Sequence, residues 1–355
     1  MDKLYFMYFE KLSSLNVADW IIYLTWYIFP FIIIAVMLIF FVIFLVLAER
    51  KVLAFYTLRK GPNRVGYNGC LQTIADAIKL LFKEDVTPKN ADKLLFTIAP
   101  IIAFAPVMVV WGLIPYSSAF IAIESGVGAL LYPAIVALPL LGIIIAGYSS
   151  NNKYALLGAM RAVALALSYG LPMVLCILSV VVLSGTMNLG DIVNSQSSTL
   201  GFFKWFFIPS FLGFCIFYIS MLAELNRTPF DLSEAESELV AGYNVEYSGM
   251  RFALFFLAEY AALFVLSSFM VVLFFGGYLS PLGNYFSSGG VLLYVEQIFW
   301  FLLKVFTIIL SVMWIRATFP RFRVDTLLKF AWMVLLPLAI LNFLLVSLIK
   351  FWGIA

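Results

Sequence analysis

Residues 20–48 read WIIYLTWYIFPFIIIAVMLIFFVIFLVLA, and residues 49–51 close the stretch with Glu49-Arg50-Lys51. A helix needs roughly 20 apolar residues to cross the hydrocarbon of a bilayer, and this run exceeds that before three charges stop it. It is too long for the apolar core of a leader and carries no small-residue cleavage motif, so it reads as a retained helix. The same signature recurs at 94–123, 125–152, 162–190, 205–223, 260–295 and 330–349, all free of charge. The run 260–295 is too long for one crossing and is broken by Gly276-Gly277, Pro281 and Gly289-Gly290, which are turn signals. It ends one helix and starts another that continues through Glu296 and Lys304. The expectation is an all-α integral membrane protein: one membrane domain over 1–355, a bundle of eight transmembrane helices with short amphipathic helices in cytoplasm-facing loops. The helices fall at roughly 20–48, 94–114, 128–148, 158–184, 205–225, 252–276, 291–316 and 327–350, with charged loops at 49–93 and 224–250.

Composition agrees. Of 355 residues, 64% are hydrophobic and 12% charged, where a soluble domain carries about 25% charged residues. A water-soluble fold is excluded. Histidine is absent, which removes the usual general base, zinc ligand and axial haem ligand. Cys70, Cys176 and Cys215 form no CxxC pair, so neither a disulfide framework nor an iron–sulfur cluster within the chain is supported. No metal site and no bound cofactor are expected here; any electron-carrying group belongs to another chain. Segments 49–93, 153–161, 227–251 and 316–329 hold 17 of the 22 Lys and Arg residues, which places these four connections on the cytoplasmic side. The net charge of +3 is therefore a topology signal, and no nucleic-acid partner is implied.

Charge is concentrated. Eleven of the 19 acids lie in the loops 49–93 and 224–250, more than a plain connection between helices needs. Around Glu49-Arg50-Lys51 and Arg59–Gly66 the plain structural reading is an interfacial stop-transfer segment with snorkelling cations. In 71–84, Asp76, Lys79 and Lys83 share one helical face, opposite Leu71, Ile74, Ile78 and Leu81. Surface salt bridging explains any one of those pairs, while a polar face buried against a partner subunit stays open. In 223–239, Asp231 to Glu234 and Ser233 to Glu236 have capping-box spacing after Pro229, which accounts for about half of the acidity. Crowding of Glu234, Glu236 and Glu238 with Glu224 and Glu246 beside apolar spans favours shared protons, as a relay requires. Glu259, Glu296 and Lys304 inside spans, and Arg161 at the start of one, read as functional because an unpaired charge in hydrocarbon costs several kcal/mol. Glu259 with Tyr260 is the strongest of these. Pro100, Pro106, Pro139, Pro172 and Pro209 read as kinks or packing features.

The strings ERKVLAFYTLRKGPNRVGYNGCLQTIADAIKLLFKED (49–85), GYSSNNKYALLGAMRA (147–162), AELNRTPFDLSEAESELVAGYNVEYSGMRFALFFLAEYA (223–261) and RATFPRFRVDTLLKFAW (316–332) closely resemble the membrane H-subunit family of respiratory complex I, the NADH:quinone oxidoreductases. The motifs run from the first helix to the last. The resemblance implies a subunit joining a hydrophilic electron-transfer arm to a proton-pumping membrane arm. It implies quinone as substrate, and iron–sulfur clusters and flavin carried by partner subunits. Near the quinone channel it places Glu49, Arg50, Phe55, Arg59, Arg227 and Phe230. Along an acidic proton path it places Asp76, Lys79, Glu84, Arg161, Glu224, Asp231, Glu234, Glu236, Glu238, Glu246, Glu259 and Tyr260. The implied partners are hydrophilic quinone-site subunits and an iron–sulfur subunit on the cytoplasmic side, with small membrane subunits and antiporter-like subunits laterally. A bacterial inner, or a photosynthetic or respiratory, membrane is the expected location.

The sequence departs from that family at three places. Thr57 stands before Arg59 where the family has glutamine, Leu165 replaces another glutamine, and Gly170 replaces a membrane-embedded glutamate. A water-filled gap or a rerouted acid near Gly170 is expected if the relay persists. A subunit of a membrane-bound hydrogenase or ferredoxin-linked ion pump is the alternative, and it would use no quinone. A secondary transporter is less well supported, because no inverted repeat or pair of broken helices is visible. A purely structural anchor for a soluble arm is a fourth reading.

Overall fold

The computed structural model describes residues 19–198, 201–233, 236–283 and 291–353. The described residues fold into helices and turns, with no strand. Helix α1 spans Asp19–Tyr56 and carries the first apolar run past Glu49 without a break. An exposed loop then leads to α2, Gln72–Phe82, whose Ile74, Ile78, Leu81 and Phe82 side chains are exposed, as is that of Leu71 just before it. Helix α3, Lys93–Leu113, opens on an Asp92 cap whose carboxylate accepts from the Leu94 N–H. The next crossing is two helices in line, α4 (Gly128–Val136) and α5 (Pro139–Ser149), divided where Pro139 supplies no N–H to continue the ladder. Helix α6, Lys153–Ser184, is capped by Asn152 and ends on left-handed Gly185.

A short α7 (Leu189–Ser195) precedes α8, Phe211–Glu224. The apolar run that feeds α8 begins at residue 205, but Pro209 and Ser210 keep its first part in turns, leaving a 14-residue helix. The acidic loop contains one turn of helix, α9 (Glu236–Leu239). Helix α10, Gly249–Phe274, ends at the left-handed Gly276-Gly277 pair. Helix α11 spans Val291–Thr318. The last crossing is α12 (Val324–Phe330), a π turn at Ala331–Leu335 and α13 (Leu336–Phe351). Among the described residues, six helical stretches are long and apolar enough to cross a membrane, and α8 is a shorter apolar helix.

Helix α10 is the centre of the bundle. Its most apolar stretch is 78% buried, against 22% for the α4–α5 and α12–α13 crossings. The outer helices turn Phe40, Phe44, Met333 and Leu344 outward, as helices facing lipid or neighbouring subunits do. Close approach between helices relies on small residues. A Cβ on Gly142 would sit 2.7 Å from the Ala103 backbone nitrogen, so α5 and α3 meet there backbone to backbone. A Cβ on Gly158 would sit 2.8 Å from Gly242 Cα, so α6 admits the backbone of the acidic loop.

Buried polar groups inside the bundle tie helix ends together. The Lys304 ammonium donates to the carbonyls of Phe275, Gly277 and Leu279 at 2.7, 2.9 and 2.6 Å. It also lies 4.2 Å from the centre of the Trp205 ring. These carbonyls follow the last turn of α10, where a cation is favoured by the helix dipole. Lys304 thus closes the end of α10, a structural task that accounts for its charge.

Candidate functional site

Leu38, Val42, Leu45 and Glu49 fall on one stripe of α1, and all four are buried. Helical periodicity therefore turns Glu49 into the protein along with three aliphatic side chains, leaving it 1% exposed. A lone carboxylate there would be strongly destabilising. Two cations meet it. Arg227, itself buried in the turn after α8, donates to Glu49 Oε2 at 2.8 Å, and Arg316 at the end of α11 donates to Oε1. The Arg227 guanidinium lies 4.9 Å from the centre of the Tyr260 ring, and the Tyr260 hydroxyl turns toward the Glu49 carboxylate. Helices α1, α10 and α11 and the α8–α9 turn are thus joined by one ionic cluster.

Beside it lies a cavity of about 250 Å3, lined by Asn226, Arg227, Asp231, Phe256, Glu259, Tyr260 and Arg316 among others. Phe252, Phe256, Glu259 and Tyr260 recur at helical spacing, so α10 presents a mixed aromatic and acidic face to this space. Asp231 accepts from Arg321 at 2.8 Å. A second, mainly apolar cavity of about 80 Å3 contains Glu224. Leu225, Asn226 and Glu259 line both cavities. Glu259 therefore stands in the wall between them, and it accepts a 3.0 Å hydrogen bond from the Tyr243 hydroxyl.

The remaining expected residues fall outside this centre. Arg50, one position round the helix from Glu49, reaches Asp76 of α2 at 2.5 Å, and Gln72 also donates to Asp76 at 3.1 Å. Arg161 pairs with Glu238 at 2.5 Å, and Glu246 accepts from Asn152 at 2.7 Å. Phe230 is buried against Tyr169 and lines neither cavity. Phe55, Arg59, Lys79 and Glu84 are exposed. Glu234 lies outside the described residues, as does the side chain of Glu236. Two contributors were missed by sequence reasoning: Arg316, visible only as one more cytoplasm-facing cation, and Tyr243, which carries no local signal.

Beside Gly170 a Cβ would find no atom within 4 Å. The position holds open space, and no carboxylate of the described residues lies within 4 Å of that Cβ. Among the described residues, too, no three His, Cys, Asp or Glu side chains gather as a metal site, and the three cysteines are free.

Asp76 lies outside the membrane-crossing helices. Partial burial alone would raise its pKa, but hydrogen bonds from Arg50 and Gln72, with the nearby Arg50 and Lys79 charges, outweigh burial and hold it below its ordinary 3.8. A carboxyl with a depressed folded-state value stabilises above the unfolded value and loses that contribution as pH falls through the folded one. The docking of α2 onto α1 is thus expected to be constant from about pH 8 to about pH 5 and to weaken only in acid below 3.8. Hydrogen exchange of residues 72–82, corrected for intrinsic rates, is expected to show this flat profile, and Asp76→Asn to lose protection across it. Protection that changes near neutrality would refute the bridge as the fastening.

A family model described as NADH dehydrogenase matches residues 29–347. The H subunit of the NADH-quinone oxidoreductase of Brevibacillus brevis is 46% identical over 324 residues, covering 91% of this chain and 93% of the relative. That of Bacillus cytotoxicus is 50% identical over 311 residues, covering 87% and 90%. The Geobacillus kaustophilus protein of the same name is 49% identical over 313 residues, covering 88% and 90%.

Proposed function

The chain belongs to the membrane H-subunit family of NADH-quinone oxidoreductases, and from that premise we propose that it forms the membrane-side wall of the quinone channel in a complex I-type proton pump. The observation that carries this reading is the Glu49–Arg227–Arg316 cluster at the edge of a cavity lined by Phe256, Tyr260 and Glu259. Aromatic side chains suit a quinone or its isoprenoid tail, and the cluster keeps charge beside a cavity in which Phe252, Phe256 and Tyr260 alternate with Asn226, Asp231 and Glu259. Reduction of a quinone to quinol takes up two electrons and two protons. The electrons come from groups carried by partner subunits. On this chain, negative charge arising at the quinone acts on Arg227 and Arg316, shifts their hold on Glu49, and is felt next by Glu259, where like charges alter proton affinity.

The acids then continue from Glu259 to Glu224 through the shared cavity wall, with Asp231, Glu238 and Glu246 on the adjoining loop; Glu234 and Glu236 belong to the same acidic stretch of the sequence. Arg50 with Asp76, and Arg161 with Glu238, brace the loops by ion pairs beside the passage, and Lys79 adds a charge near Asp76. Eight crossings, counted with α1 and α8, put the charged loops 49–93 and 224–250 on the cytoplasmic face of a bacterial membrane. There they meet hydrophilic quinone-site and iron–sulfur subunits, while small membrane subunits and antiporter-like subunits flank the bundle. A photoreactive quinone analogue added to the whole complex is expected to label 225–231, 252–260 or Arg316, with unlabelled quinone competing. Labelling confined to residues outside both cavities would overturn the channel assignment.

A further inference from the structure

Glu296, near the start of α11, lines neither of the two cavities above. It precedes Arg316 by twenty residues on one continuous helix, a distance of about 30 Å at 1.5 Å per residue. That is about the thickness of bilayer hydrocarbon, so Glu296 lies at the interface opposite the Glu49 cluster, where lipid headgroups begin. Leu292, Val295 and Phe299 beside it face outward, and Glu296 itself is half-buried. A separate pocket of about 70 Å3 opens there, lined by Tyr278, Leu279, Ser280, Glu296, Gln297 and Trp300 among others.

The other polar groups of this pocket are already engaged. The Tyr278 hydroxyl donates to Asn194 Oδ1 at 2.7 Å. Ser118 donates to Gln297 Oε1 through its N–H and its hydroxyl, at 2.9 and 3.0 Å. The Ser280 hydroxyl accepts from the Leu282 N–H at 3.2 Å. Lys304, eight residues further along α11, is spent on the carbonyls that follow α10. Among the described residues, no ion pair reaches the Glu296 carboxylate. A carboxylate at the edge of hydrocarbon calls for a counter-charge, and here it must come from outside the described residues. A bound metal ion would need several oxygen ligands, which this pocket does not have free. Aromatic faces attract organic ammonium groups, and Tyr278 and Trp300 share the pocket with the acid.

We propose that this pocket binds the primary ammonium of a lipid headgroup of the phosphatidylethanolamine type. Glu296 pairs with the ammonium, Tyr278 and Trp300 contact it and its methylenes, and the phosphate stays outside in the headgroup layer. The outward stripe of Leu292, Val295 and Phe299 lies beside the pocket for the acyl chains to follow. The site is independent of the quinone and proton readings.

The test uses the whole complex in vesicles of phosphatidylethanolamine with phosphatidylglycerol, or of phosphatidylglycerol alone. A membrane-soluble carbodiimide activates the Glu296 carboxylate, and an amine held against it forms an amide, while the elements of water pass to the carbodiimide, which leaves as its urea. Mass spectrometry of the peptide carrying Glu296 is expected to find the ethanolamine lipid attached in the mixed vesicles only. Free ethanolamine added to the phosphatidylglycerol vesicles should leave Glu296 unmodified. Glu296→Gln should abolish the adduct, and Trp300→Leu, which keeps the acid, should lower its yield about fivefold, the scale of one cation–π contact. No adduct in the mixed vesicles, an amide to a lysine of this chain or a neighbouring subunit, equal labelling by free ethanolamine, or a yield unchanged by Trp300→Leu overturns the proposal.

Discussion

Glu49→Gln is expected to lower quinone reduction by the assembled complex at least about tenfold, a loss of roughly 1.4 kcal/mol in transition-state stabilisation. The argument is electrostatic. The carboxylate is 1% exposed and accepts from two guanidinium groups, one of them 7% exposed. A glutamine of the same shape leaves Arg227 and Arg316 facing each other without a counter-ion, and removing one partner of a buried ion pair typically costs about 3–5 kcal/mol. Arg316 can swing away, because its side chain is 39% exposed, and Arg227 cannot. The strain falls on the turn after α8 and on Tyr260, which carries the Arg227 guanidinium over its ring. The wall of the larger cavity therefore shifts even where the complex still assembles. Electron transfer to ferricyanide, which bypasses the membrane site, should be unchanged and serves as the internal control. Arg316→Gln should have a smaller effect than Arg227→Gln, following their burial. Wild-type quinone reduction in Glu49→Gln, or equal losses with both acceptors, would remove the cluster from the quinone step.

Helical spans were legible because lipid imposes a minimum length on an apolar run, and charge-free stretches survive in sequence without knowledge of contacts. The pairings were less legible, since they depend on which face of a helix each charge takes and on what stands opposite. Glu49 and Arg50 are neighbours in sequence, yet one is buried on Arg227 and the other reaches out to Asp76. Periodicity along Leu38, Val42 and Leu45 decides between them, but Arg316 arrives from 267 residues away. Lys304 shows the converse: an intramembrane charge suggested function, whereas three carbonyls at the end of α10 satisfy it structurally. Phe55 and Arg59, expected near the channel from the resemblance, are exposed on this chain. The wall between the two cavities could not be read at all from spacing, because Glu259 and Asn226 meet there only through the packing of α10 against the turn after α8.

Glu259→Gln is expected to reduce both quinone turnover and proton translocation by about tenfold or more, and an ionophore should not restore the rate. Glu259 lines both cavities and accepts from Tyr243. The amide occupies the same volume and still accepts that hydrogen bond, so packing is retained. What is lost is the ability to change charge at the one acidic position common to the two spaces. If charge at the quinone must be balanced there before turnover proceeds, the rate falls together with pumping, and collapsing the proton gradient cannot help. A merely passive acid would give normal turnover with reduced pumping. Coupling to the arginine cluster adds a second measurement. Groups in one network deviate from additivity by about 0.5–3 kcal/mol, whereas independent sites add. In Glu49→Gln combined with Glu259→Gln, the losses should therefore be less than additive, because either change alone already interrupts the same sequence of charge shifts. Strictly additive losses would place the two carboxylates in separate processes and break the link from the larger cavity to Glu224.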